Sequence, residues 1–203
     1  MTFPRFYPIL DAACFPEAAS LIAAAEELAA AGTTQIQYRN KAGNAREILE
    51  QGRELRRRLG SSVRLIMNDR ADLALAAGFD GVHVGQDDLS PEGVRRVMGP
   101  ELLLGFSTHN PDQVKEADRL PVSYIAVGPV FATSSKAKPD PVIGLDGVRL
   151  ARRLTEKPLV AIGGITRGNC RSVIEAGADS VAVISDLLPA PGKSAEEFLR
   201  ILG

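Results

Sequence analysis

In the run Gln37-Tyr38-Arg39-Asn40-Lys41, three polar side chains stand at alternate positions, two of them cationic. On an extended backbone such positions share one side, so the spacing predicts a basic edge suited to an anion. Two cations turned to water at a strand end are the alternative reading. Asn68-Asp69-Arg70 and Gly85-Gln86-Asp87-Asp88 bring carboxylates. Carboxylates beside an anion site would repel the ligand unless a cation lay between them. Mg²⁺ meets that need, because it takes one or two carboxylates together with waters and phosphate oxygens. The same aspartates could instead cap the helices that follow, and spacing does not choose between Asp87 and Asp88. Gly105-Phe106-Ser107-Thr108-His109-Asn110 offers hydroxyls to phosphate oxygens, or a helix cap at Thr108 or Asn110. The segment from Gly128 through Thr133, Ser134, Ser135 and Lys136 to Gly144 reads as a phosphate-gripping lid, since long ordered loops usually have such a reason. Ile162-Gly163-Gly164-Ile165 and Val183-Ile184-Ser185-Asp186 could present backbone N–H groups to a phosphate. His83, within Gly-Val-His-Val-Gly, either faces the same region or is a hydrogen-bonded core histidine.

These residues need a scaffold that gathers them. Short apolar runs at Phe6–Leu10, Gln35–Tyr38, Arg64–Met67, Gly81–Val84, Leu102–Phe106, Tyr124–Val127, Leu159–Ile162 and Ser180–Ile184 predict strands, each followed by a stretch with helical spacing. Eight such units in 203 residues leave about 25 residues for each, enough for a strand, a turn and a three-turn helix. The pattern predicts an α/β fold, a single (β/α)₈ TIM barrel over residues 1–203, whose chemistry sits at the carboxyl ends of its strands. An open doubly wound sheet fits the same alternation, but no Gly-x-Gly-x-x-Gly turn follows the first strand. Ala31-Gly32, Ala77-Gly78 and Ala176-Gly177 each precede a strand and predict left-handed helix ends. Helices are expected over Glu17–Ala31 and Asn44–Leu59, with Arg53, Arg56, Arg57 and Arg58 on a solvated face.

The composition is ordinary for a globular protein, with 45% hydrophobic residues, 24% charged residues and a net charge of −1. It shows no bias toward nucleic acid or membranes. No apolar run reaches the roughly 18 residues that span a bilayer, and no basic-then-apolar leader opens the sequence, so the cytoplasm is the expected compartment. Cys14 and Cys170 have no companions at metal-ligand spacing and read as plain thiols. Small phosphorylated molecules are the expected partners, and a homo-oligomer is left open.

Taken in order, Gln-Tyr-Arg-Asn-Lys, Asn-Asp-Arg, Gly-Val-His-Val-Gly-Gln-Asp-Asp, Ser-Thr-His, Gly-Pro-Val-Phe-Ala-Thr-Ser-Ser-Lys and Ala-Ile-Gly-Gly-Ile resemble the thiamine-phosphate synthase family over essentially the whole chain. The resemblance implies joining of an aminopyrimidine diphosphate to a thiazole phosphate, or to its carboxylated form, with release of pyrophosphate. It also implies that Gln37, Arg39, Lys41, Asn68, Ser107 and Lys136 surround the pyrimidine diphosphate. Asp69 and Asp88 become Mg²⁺ ligands, and Thr133, Ser135, Gly164, Ile184 and Ser185 fall at thiazole-phosphate positions. Arg39, Lys41, Ser107 and Lys136 would serve the chemistry, which in the family is dissociative: the diphosphate leaves before the thiazole nitrogen attacks. Two departures stand out, Asn40 for a frequent glutamate and Ser135 for a common threonine. A related thiazole tautomerase carries its histidine just after strand six, where this chain has Gly128-Pro129. A non-catalytic sensor of thiazole phosphate and a sugar-phosphate isomerase are the other readings compatible with the fold.

Overall fold

The computed structural model describes residues 3–133 and 140–203. Its strands are β1 (Phe6–Asp11), β2 (Gln35–Arg39), β3 (Arg64–Asn68), β4 (Gly81–Val84), β5 (Leu103–Thr108), β6 (Tyr124–Val127), β7 (Leu159–Ile162) and β8 (Ser180–Val183). They pair in parallel in chain order, and β8 pairs with β1 to close the barrel. The helices between them are α1 (Ala18–Ala30), α2 (Ala45–Leu59), α3 (Ala71–Ala76), α4 (Pro91–Met98), α5 (Pro111–Arg119), α6 (Gly144–Arg152), α7 (Cys170–Glu175) and α8 (Pro191–Leu202). The open-sheet alternative is thereby excluded.

Strand alternation divides the core in two. Outward-facing residues such as Phe6, Leu10, Leu65, Val84, Leu104 and Val127 pack under the helices. Inward-facing Tyr7, Ile9, Ile66, Tyr124, Ala126, Val160 and Ala182 form a separate cluster that fills the barrel. Phe6 and Phe198 stack with centroids 4.9 Å apart, pinning α8 over the β1–β8 seam. Burying each of these rings contributes about 1.5–3 kcal/mol.

Local chemistry starts the helices where the barrel needs them. Asn44 accepts from the Arg46 and Glu47 amides while the Glu47 carboxylate accepts from the Asn44 amide, a capping box that starts α2. Ser90 and Asn110 cap α4 and α5, each followed by a proline whose missing N–H costs nothing in the first turn. Gly32, Gly78 and Gly177 all have positive φ, as expected of left-handed helix ends.

Several expected boundaries shift. Strand β5 begins at Leu103 and runs on to Thr108, because Ser107 and Thr108 still pair with Ala126 and Val127 of β6. The Thr108 hydroxyl donates to the Ala126 carbonyl at 2.8 Å, so Thr108 belongs to the sheet and Asn110 is the cap. Strand β8 stops at Val183, and Ser185–Leu187 form a short 3₁₀ turn. Strand β2 ends at Arg39, so the extended run foreseen through Lys41 is two residues too long. The arginines of α2 are also less idle than a solvated face. Arg56 pairs with Asp80 and donates to the carbonyls of Gly78 and Gly60, while the Asp80 carboxylate accepts from the Leu65 amide. Arg57 and Arg58 share Glu54 in exposed ion pairs.

Candidate active site

At the carboxyl ends of the strands a pocket is lined by Gln37 and Arg39 of β2, Asn68 of β3, His83 of β4 and Ser107 of β5 on one side. Thr133, Gly163, Gly164, Ile184 and Ser185 line the other side. Parallel strands all deliver their ends to one rim, so Gln37 and Ser185, 148 positions apart, share one cavity. Of the residues singled out from the sequence, Gln37, Arg39, Asn68, Ser107, Thr133, Gly164, Ile184 and Ser185 meet here. Ser135 and Lys136 lie outside the described residues.

Lys41, Asp69 and Asp88 are grouped beside this pocket. Lys41 Nζ lies 2.7 Å from Asp69 Oδ2, and Asp69 directly follows the pocket residue Asn68. Burial raises the Asp69 carboxyl above the ordinary carboxylate range; Lys41 opposes the shift and the neighbouring Asp88 side chain adds to it. Two carboxylates held together, with one cation between them and water, make a site that gains from a further positive charge. Neither aspartate caps a helix. Asp69 has φ 63° and precedes a helix start at Arg70 that lacks a side-chain cap, while Asp88 Oδ2 accepts from the Gly85 amide at 2.8 Å within its own turn. The left-handed backbone at Asp69 is uncommon outside glycine, asparagine and aspartate, and its amide donates to the His83 carbonyl at 2.8 Å. Among the described residues no group of three or more histidine, cysteine or acidic ligands forms. A cation held by two carboxylates here would complete its shell with water or ligand oxygens, the pattern of Mg²⁺.

The basic edge on β2 is also partnered. Arg39 pairs with Asp11, a 6% exposed carboxylate at the end of β1 whose backbone lies opposite Arg39 in the register. Arg39 is thus held inward, and among the described residues Asp11 engages only one of its guanidinium nitrogens, leaving the others for a ligand. On β3, the Asn68 side-chain nitrogen is buried and has no hydrogen-bond partner among the described residues. An orphaned donor costs about 1–3 kcal/mol, and one at a pocket wall is a place for a ligand acceptor.

The opposite wall is built from backbone. The Val130 and Phe131 amides donate to the Ile162 and Gly163 carbonyls at 2.9 and 3.0 Å, zipping the loops after β6 and β7 together. Gly164 has φ 63°, and a Cβ there would stand 2.5 Å from the Ala132 carbonyl, so the closure requires glycine. His109 braces the same loop, since its Nδ1 donates to the Gly128 carbonyl at 2.7 Å and lies 3.5 Å from Asp140.

The barrel floor carries residues the motif reading passed over. Tyr7 and Tyr124 sit in the inner cluster with their hydroxyls 3.0 Å apart, and Gln37 Nε2 donates to Tyr7 at 3.1 Å. His83 stacks on Tyr124 with centroids 5.5 Å apart and meets Ser107 Oγ at 2.9 Å. His83 therefore satisfies both earlier readings at once: it is hydrogen-bonded and it faces the pocket. Alternation in the strands could have pointed inward at both tyrosines, and Asp11 stands directly after the first apolar run. No local signal marked the pairing of His109 with Gly128, because the two are joined only by barrel closure.

A family model described as thiamine monophosphate synthase matches residues 6–187. The thiamine-phosphate synthase of Koribacter versatilis is 63% identical over 205 residues, covering 100% of this chain and 97% of that protein. The thiamine-phosphate synthase of Chloroflexus aurantiacus is 44% identical over 189 residues, covering 92% and 86%. Among solved structures, thiamine phosphate pyrophosphorylase from Pyrococcus furiosus aligns with a TM-score of 0.87 at 34% identity, over 98% of this chain and 95% of its own. A native KDPGal structure aligns with a TM-score of 0.76 at 14% identity, over 99% and 97%, a likeness of fold alone.

Proposed function

The chain belongs to the thiamine monophosphate synthase family, and from that premise we propose how the pocket divides the work of joining its two substrates. The activity is that of a thiamine-phosphate synthase, a transferase of thiamine biosynthesis. It unites 4-amino-2-methyl-5-(diphosphooxymethyl)pyrimidine with thiazole phosphate and releases pyrophosphate. The reading assigns the pyrimidine diphosphate to the wall made by Gln37, Arg39, Asn68 and Ser107 with Lys41 beside it, and gives the same substrate to Lys136, which lies outside the described residues. It assigns the phosphate of the thiazole to the wall made by Thr133, Gly164, Ile184 and Ser185, and to Ser135, which lies outside the described residues.

The observation that carries this reading is the alternation of opposite charges on one rim: Asp11 with Arg39, and Lys41 with Asp69 beside Asp88. Asp69 and Asp88 are the residues that would hold Mg²⁺, which when bound neutralises charge on a diphosphate and lowers the cost of its departure. The protein's own part is electrostatic and positional. Arg39, Lys41 and Lys136 stabilise negative charge that grows on the leaving group. Ser107 and Asn68 donate to its oxygens and keep it aligned with the pyrimidine methylene. The second wall holds the thiazole nitrogen facing that carbon, ready to capture the cation left behind. No side-chain nucleophile enters this dissociative route. After β6, where the related tautomerase bears histidine, this chain has Gly128 and Pro129 lining the pocket.

The test is a reaction of both substrates with and without Mg²⁺, following thiamine phosphate and pyrophosphate together. Equal yields of the two, dependent on the metal, are expected. Product formed at full rate in the presence of a chelator would remove the metal role, and no product under any condition would remove the assignment. The cytoplasm is the compartment that suits such small phosphorylated substrates. Among the described residues no helix is long and apolar enough to cross a membrane.

A further inference from the structure

Five side chains form one hydrogen-bonded chain across the pocket floor. Gln37 Nε2 lies 3.1 Å from Tyr7 Oη, which lies 3.0 Å from Tyr124 Oη. Tyr124 Oη lies 3.0 Å from His83 Nδ1, and His83 Nε2 lies 2.9 Å from Ser107 Oγ. Four of the five are buried, Tyr124 fully and Tyr7, Gln37 and His83 nearly so. Burial pushes the Tyr7 hydroxyl up to about 12 and that of Tyr124 well above its usual value, so both keep their protons at neutral pH.

Each phenol has one proton to give, so a phenol that donates at one link must accept at the other. The amide nitrogen of Gln37 points at Tyr7 and can only donate. That leaves the Tyr7 proton available to Tyr124, and the Tyr124 proton to Nδ1 of His83. An imidazole that accepts at Nδ1 carries its hydrogen on Nε2 and donates to Ser107, whose own hydrogen is left to point onward. The other end sets the direction, and the Gln37 amide agrees with it. Ser107 lines the pocket assigned to a diphosphate ester, whose oxygens are acceptors only, so its hydroxyl must donate outward and accept from behind.

Room for this chain is reserved in the sequence. Gly105 pairs with His83 on one side and with Tyr124 on the other, and a Cβ there would stand 2.3 Å from His83 Nδ1 and 2.1 Å from Tyr124 Cζ. The missing side chain lets the imidazole and phenol of strands β4 and β6 meet across β5.

We propose that this chain sets the polarity of the substrate pocket. His83 is held as the neutral Nε2–H tautomer, and Tyr7, Tyr124 and His83 are positioning residues that make Ser107 a donor and turn the Gln37 carbonyl oxygen outward as an acceptor. The pocket thus offers an acceptor on β2 to a ligand N–H and a donor on β5 to a ligand oxygen, matching an amino-substituted heterocycle that carries an anionic arm. This rests on the substrate assignment above.

The tautomer can be read without substrate. The chain has two histidines, so a long-range ¹H–¹⁵N correlation spectrum of histidine-labelled enzyme at pH 7, with His109→Gln for assignment, reports His83 directly. A protonated Nε2 with a bare Nδ1 is expected. The Nδ1–H tautomer, or an imidazolium, would overturn the proposal. Tyr124→Phe removes the donor to Nδ1. The variant is expected to show mixed His83 tautomers and a KM for the pyrimidine diphosphate raised about tenfold, the loss of roughly one oriented hydrogen bond, with kcat changed less. An unaltered tautomer or an unaltered KM in a folded variant would also overturn it. The wild-type spectrum decides alone if Tyr124→Phe does not fold. Absence of thiamine phosphate synthesis would sink the substrate reading but leave the measured tautomer standing, so the two failures are distinguishable.

Discussion

Lys41 Nζ rests 2.7 Å from Asp69 Oδ2, which sets a protein cation on the carboxylate proposed above as a metal ligand. Lys41 is half-exposed and Asp69 mostly buried, so the lysine can leave at little cost while the carboxylate stays put. A pair of this kind is worth up to about 1 kcal/mol. Lys41→Gln should therefore tighten binding of Mn²⁺, as a stand-in for Mg²⁺, by about fivefold or less in substrate-free enzyme, measured by electron paramagnetic resonance. The same variant should lose turnover through weaker stabilisation of the diphosphate. Weaker Mn²⁺ binding in Lys41→Gln would mean that the lysine supports the cation instead of competing with it.

Asp69 combines a left-handed backbone with a carboxyl raised by burial. A carboxyl whose folded pKa lies above its unfolded value stabilises the fold below the unfolded pKa, and that contribution is lost as pH rises through the folded pKa. Metal-free Asp69→Asn should accordingly gain in melting temperature over wild type as pH is raised from the ordinary carboxylate range through the raised value of Asp69. Asparagine also tolerates the positive φ, whereas Asp69→Ala should be about 1 kcal/mol less stable than Asp69→Asn. Both should lose metal-dependent activity. Thermal melts of the three proteins across pH are the check, and a gain for Asp69→Asn that shrinks with rising pH would reverse the assigned sign.

Gly105→Ala places a methyl group into the His83–Tyr124 contact. Overpacking of this kind costs about 1–3 kcal/mol, which urea unfolding would register. Affinity for the pyrimidine diphosphate should fall in parallel, because His83 and Ser107 move together. An unfolding curve and KM that both match wild type would show that the strands can part freely at this level.

His109 links Gly128, where the loop after β6 departs, to Asp140, where the described part of it returns. His109→Ala should raise KM for thiazole phosphate about tenfold, the value of one or two hydrogen bonds that hold a wall in place. The KM for the pyrimidine diphosphate should move much less, since that substrate is assigned to the other wall. Steady-state kinetics with each substrate varied in turn separates the two. An equal effect on both would make His109 a general packing residue.

Periodicity in the sequence by itself determined the barrel, because eight short apolar runs alternating with amphipathic helices leave few ways to bury every strand on both faces. Three strands match their expected limits residue for residue, namely β4, β6 and β7; β1, β2, β3 and β5 run on into polar residues at their carboxyl ends, β5 starts one residue late, and β8 stops one residue early, before Ile184. Ser107 and Thr108 looked like loop because they are polar, yet pairing with β6 keeps them in the sheet. The polar residues at the strand ends were legible for the same reason as the strands themselves: in a parallel barrel every carboxyl end faces one rim. Only the tertiary structure decided which of those residues pair. Asp11 with Arg39, Lys41 with Asp69, and His109 with Gly128 join separate βα units, so no spacing within one unit encodes them. The tyrosine and histidine chain on the floor is likewise a product of closure. Tyr7 and Tyr124 are 117 residues apart and meet because inward-facing side chains from opposite strands must share one narrow interior.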